Sequence, residues 1–71
     1  MSDERRHFLD LVLYSAVEDA NSDDELTEGF VSGLIDNGVT WANSHLKSAM
    51  TLTPIDIHIL AGKIIFELEN N

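Results

Sequence analysis

A chain of 71 residues with no cysteine has room for one domain and no disulfide to brace it, so its fold must rest on packing and association. Its net charge of −9 repels phosphate backbones and anionic lipid, which disfavours direct nucleic-acid binding and attachment to a membrane surface. The charge is also uneven: residues 1–36 hold ten acids against Arg5 and Arg6, whereas residues 37–71 hold Asp56, Glu67 and Glu69 against Lys47 and Lys63.

The N-terminus reads Met1-Ser2-Asp3-Glu4, with acids where a secretory leader carries bases, and the absence of cysteine fits a reducing compartment. The expected location is the cytoplasm. Ser2 is placed to cap a first helix whose opening turn, Asp3 and Glu4, suits the positive end of the helix dipole. Phe8, Leu9, Val12, Leu13, Ala16, Val17 and Ala20 recur at helical spacing, which predicts a helix over 3–20. Leu11 and Tyr14 lie off this face, beside His7 and Glu18, and read as ordinary exposed apolar residues, with a second contact surface as the alternative.

Asn21-Ser22-Asp23-Asp24 reads as a turn followed by a fresh cap, and Leu26, Phe30, Val31 and Leu34 predict a second helix over 24–37. Asn37-Gly38 reads as its stop, because both residues tolerate the left-handed conformation that ends helices. Within that segment Gly29 and Gly33 each cost about 1 kcal/mol relative to alanine. A tight crossing of another helix over this flat face would offset the loss. Thr40 then caps a short third helix over 40–50, with Trp41, Ala42, His45, Leu46, Ala49 and Met50 inward and Asn43, Ser44, Lys47 and Ser48 outward.

The last segment is the most strongly specified. Thr53, Pro54 and Asp56 form a capping-box-like start, and the helix runs over 54–69. Ile57, Leu60, Ala61, Ile64, Ile65 and Leu68 fill one broad face, while Ile55, Ile59 and Phe66 form a second patch. Three short neighbours supply little cover for two apolar faces, so this helix is expected to self-associate through Ile55, Ile59, Ile65 and Phe66, most simply as a twofold dimer. The expected fold is all-α, a small four-helix orthogonal or bundle-like domain spanning 1–71. Its expected core is Phe8, Val12, Phe30, Leu34, Trp41, Leu46, Ile57, Ile64 and Leu68.

Motifs of chemistry are absent or broken. Asp19, Asn21 and Asp23 match the first positions of an EF-hand calcium loop, but Asp24 stands where glycine turns the loop and Phe30 where a bidentate glutamate is required. Acyl-carrier domains present Asp-Ser-Leu at a helix start, whereas Val31-Ser32-Gly33-Leu34 sits in mid-helix without the aspartate. A helix-turn-helix reading of 24–37 and 40–50 leaves Lys47 as the only cation on the reading helix, too few for phosphate contacts. His7, His45 and His58 have no metal-ligand spacing, and no nucleophile, base or phosphate loop marks a catalytic centre. Neither cofactor nor metal is expected, and the chain is not expected to be an enzyme.

Six of the eleven residues from Glu18 to Glu28 are acidic: Glu18, Asp19, Asp23, Asp24, Glu25 and Glu28. Their natural complement is a basic protein surface, including one that otherwise holds nucleic acid and for which an acidic protein competes as a charge mimic. The composition suggests a binder that modulates or inhibits a partner macromolecule, in the manner of small phage or bacterial accessory proteins. A homo-oligomeric assembly module whose acids serve solubility is the alternative, and a degenerate helix-turn-helix regulator is the third.

Overall fold

A computed structural model describes residues 2–20 and 25–70. Among these residues the chain is all-helical, with three helices rather than the expected four: α1 (Asp3–Asp19), α2 (Glu28–Leu46) and α3 (Pro54–Glu69). The turn expected at Asn21–Asp24 lies outside the described residues. Each helix opens on a hydroxyl cap: Ser2 Oγ accepts from the Arg5 amide at 3.2 Å, Thr27 Oγ1 from the Phe30 amide at 3.1 Å, and Thr53 Oγ1 from the Asp56 amide at 3.1 Å. α3 has both halves of its capping box, the Thr53 amide donating to Asp56 Oδ2 at 3.1 Å, and its bounds are those predicted.

The two middle segments are one helix, and the physical reason lies at Gly38. This residue is buried in α2 with a negative φ, and a methyl group built on it would come within 2.9 Å of the Val12 carbonyl oxygen and 3.1 Å of Val12 Cγ1 on α1. The glycine that reads as a helix stop instead admits the neighbouring backbone. Continuing the helix through Asn37-Gly38 keeps Leu34, Ile35, Gly38 and Ala42 on one buried face against Phe8, Val12 and Ala16. Thr40 caps nothing; its hydroxyl donates to the Asp36 carbonyl at 3.3 Å inside the helix. Nor do Gly29 and Gly33 carry the close crossing, since nothing lies within 4 Å of a side chain built at either.

α2 also starts later than predicted, at the Thr27 cap, and ends earlier, at Leu46. Lys47 takes the left-handed conformation (φ 54°, ψ 48°) usual for glycine, with its amide and that of Ser48 donating to the Asn43 carbonyl. The Asn43 side chain fastens residues 48–50: Oδ1 accepts from Ser48 Oγ and from the Met50 amide, both at 2.8 Å, and Nδ2 donates to the Met50 carbonyl at 2.9 Å. With three polar groups of this stretch held, continuation of the helix to Met50 is outcompeted.

The core comprises Phe8, Val12, Ala16, Val31, Leu34, Ile35, Ala42, Leu60 and Ile64. Phe30, Leu46 and Leu68, expected inside, are half-buried at its margin. Trp41 and Ile57 are corrections, being 40% and 43% exposed. A helical wheel restarted at Thr40 places Trp41 inward; in a continuous α2 it lies about 80° from the centre of the buried face at 100° per residue. α3 reaches α1 through an ion pair of Arg5 with Asp56, and the Arg5 guanidinium also donates to the Thr51 carbonyl at 3.3 Å.

Candidate functional site

The expected acidic surface divides between two places. Glu18 and Asp19, in the last turn of α1, line a shallow hollow of about 250 Å³ with Tyr14, Ser15, Asn37 and Trp41. Glu28, in the first turn of α2, lines a different groove of about 410 Å³ between α2 and α3, whose apolar wall includes Val31, Ile35, Ile57 and Ile65. Glu25 is exposed ahead of that helix, and Asp23 and Asp24 lie outside the described residues. Glu18, Asp19, Glu25 and Glu28 make no ion pair with another described residue: the single ion pair among the described residues is Arg5–Asp56.

Asp56 is the acid whose titration the fold perturbs. Its carboxylate accepts first from the Thr53 backbone amide and then from the Arg5 guanidinium, and these hold its pKa below the usual carboxylate range against an opposing desolvation. The effect is structural, joining a cap to an interhelical ion pair. Among the described residues no three His, Asp or Glu side chains gather as a cation site, and no helix is long and apolar enough to cross a membrane.

Two surface features stand out above the charge. The first is a run of rings on the α1/α2 side: Tyr14 and Trp41 have centroids 6.0 Å apart, and the Trp41 indole stacks on His45 at 5.4 Å with 20° between planes. Sequence reasoning misses it, because a helix restarted at Thr40 assigns Trp41 to a core face and Tyr14 reads as ordinary exposure. The signal that reveals it is a wheel drawn continuously through Gly38. The second is the apolar stripe of α3. Ile55, Ile59 and Phe66 are 71%, 49% and 63% exposed, and Ile65 is half-buried. At 100° per residue the first three fall within about 40° of each other, roughly 140° from the buried pair Leu60 and Ile64. With Gly62 between them, open around its Cα, the stripe follows the 4-3-4 spacing of a helix-pairing seam.

No protein-family model, curated protein or solved structure gives a significant match to this chain.

Proposed function

We propose that this protein is a non-enzymatic binding module whose acidic N-terminal half engages a basic surface of a partner macromolecule and alters that partner's activity. The observation that carries the reading is the set of solvent-facing carboxylates at Glu18, Asp19, Glu25 and Glu28, none in an ion pair among the described residues, on a chain of net charge −9. Such a surface attracts a cationic partner over a Debye length, speeds encounter and suppresses neutral competitors. A partner that otherwise holds nucleic acid would meet a rival for the same cations. The test is to identify a partner by affinity capture, purify it, and measure its binding at rising ionic strength with the unmodified protein and with an E18Q/D19N/E25Q/E28Q variant. The expected result is an association rate that falls steeply with salt and with neutralisation while helical content is unchanged; an affinity indifferent to both assigns the acids to solubility alone.

A second reading, favoured by the exposure of Ile55, Ile59 and Phe66, is self-association through α3. Two copies would cover three large side chains from each chain, contributing roughly 1–2 kcal/mol apiece for the parts now exposed, against an association cost of about 4–15 kcal/mol. That balance describes a concentration-dependent dimer rather than an obligate one. Sedimentation across the micromolar range, repeated with Ile59→Glu, tests it: a concentration-dependent dimer that the substitution reduces to a folded monomer supports the seam, and a monomer at every concentration excludes it. The helix-turn-helix reading loses its premise, because the residues it needs as a turn, Asn37 to Val39, are inside α2.

A further inference from the structure

We infer that the hollow between α1 and α2 is an anchor for an arginine side chain presented on a basic segment of a protein partner, stacked against Tyr14 and Trp41 and held by Glu18 and Asp19. This rests on the acidic-surface reading above and adds to it a place and a chemical preference. The hollow's about 250 Å³ falls below the roughly 300–1,000 Å³ of sites that enclose a small molecule, and its open shape suits one side chain entering from a partner's surface. Its composition is bipartite. Tyr14 and Trp41, 58% and 40% exposed, supply tilted aromatic rings with centroids 6.0 Å apart, while Glu18 and Asp19 supply carboxylates and Asn37 a carboxamide.

Exposed rings beside exposed carboxylates complement one cation better than others. A guanidinium is planar and weakly hydrated, stacks on aromatic faces and donates in a fork that fits a carboxylate; an ammonium is compact and strongly hydrated and gains little from the rings. The chain's own cations do not fill the place. Arg5 is engaged with Asp56 and Thr51, Arg6 and Lys63 line the groove between α1 and α3, Lys47 is the C-cap of α2 and is not among the residues lining the hollow, and the residue stacked on the indole is His45. Trp41 therefore keeps a large ring, backed by His45, at the surface beside Glu18 and Asp19.

The test uses two short peptides as probes, one alternating Arg with Gly and the other alternating Lys with Gly, titrated by calorimetry against the full chain at low salt. Trp41 is the only tryptophan, so its emission reports contact directly. The Arg peptide is expected to shift that emission and to bind several-fold more tightly than the Lys peptide. Trp41→Leu and Tyr14→Leu should each weaken the Arg peptide about three- to tenfold, the range for a partly desolvated cation–π contact, and erase its advantage over the Lys peptide. E18Q/D19N should weaken both peptides. Circular dichroism verifies the fold of each variant, and Tyr14→Leu decides the matter if Trp41→Leu does not fold. Equal affinity for the two peptides, or affinity untouched by the ring substitutions, overturns the anchor while a loss in E18Q/D19N leaves the broader acidic reading intact. Failure of both peptides to bind at low salt overturns both.

Discussion

Replacing Gly38 with alanine sets two effects of opposite sign against each other, and the structure decides which prevails. An alanine in a helix interior gains about 1 kcal/mol over glycine from backbone entropy. The new methyl, however, would lie 2.9 Å from the Val12 carbonyl oxygen and 3.1 Å from Val12 Cγ1. The nearer neighbour is backbone, so relief requires shifting α1, which carries Phe8, Val12 and Ala16 in the core. Overpacking of this kind costs about 1–3 kcal/mol, and an immovable neighbour puts the cost near the upper end. The expected net effect is destabilisation by about 1–2 kcal/mol, or a fall in Tm of roughly 4–16 °C for a domain of this size. Gly33→Ala is the control, because nothing lies within 4 Å of a side chain there and the propensity term acts alone; it should stabilise by up to about 1 kcal/mol. Urea unfolding followed by far-ultraviolet circular dichroism and Trp41 emission measures both. If Gly38→Ala stabilises the protein as Gly33→Ala does, the close approach of α1 to α2 at Val12 is refuted.

Lys47→Gly should raise stability by about 0.5–1 kcal/mol, since an L-residue at φ 54° bears a cost of roughly 1–2 kcal/mol that glycine avoids, less the greater entropy glycine has when unfolded; a lower urea midpoint would contradict the left-handed cap. Asn43→Ala should destabilise by about 1–3 kcal/mol, because it leaves the amide and carbonyl of Met50 and the Ser48 hydroxyl without their partner, and faster amide exchange over residues 48–50 would locate the loss. For Asp56 the sign follows from its depressed pKa: its contribution is fully present above the ordinary aspartate value near about 3.9 and is lost as pH falls through the lower folded value. Asp56→Asn should therefore remove part of the acid-limb slope of stability against pH, and an unchanged slope between the two proteins would contradict the coupling to Thr53 and Arg5.

The two exposed features bear on each other through their placement. The α3 stripe and the α1/α2 hollow draw on different residues, so a copy of the chain seated on Ile55, Ile59 and Phe66 would leave Tyr14, Trp41, Glu18 and Asp19 available. A dimer formed this way would present two acidic surfaces to one basic partner, and linking two weak contacts raises avidity without any new one. Self-association and partner binding would then act together, α3 serving the first and the acidic surface the second.

What the sequence determined by itself was whatever depends on near neighbours along the chain. The Ser2 cap, the capping box of Thr53 and Asp56 with Pro54 behind it, and the periodic apolar face of the first helix are all local, each closing over three or four residues, and they are present where the residue types put them. The exposure of Ile55, Ile59 and Phe66 was legible too, because a helix apolar on two sides exceeds what the few other helices of so short a chain cover. The fate of Asn37-Gly38 was not. Both a stop and a crossing point are chemically sensible for glycine, and only the arrival of Val12, distant in sequence, selects the second. That one choice produces the fusion of two predicted helices, the rotation of Trp41 from core to surface, and the hollow it shares with Tyr14, Glu18 and Asp19. The clasp of Asn43 over residues 48–50 was hidden for the same kind of reason, since a polar residue on a polar face gives no sign of which backbone groups it will hold until the chain has turned back on itself.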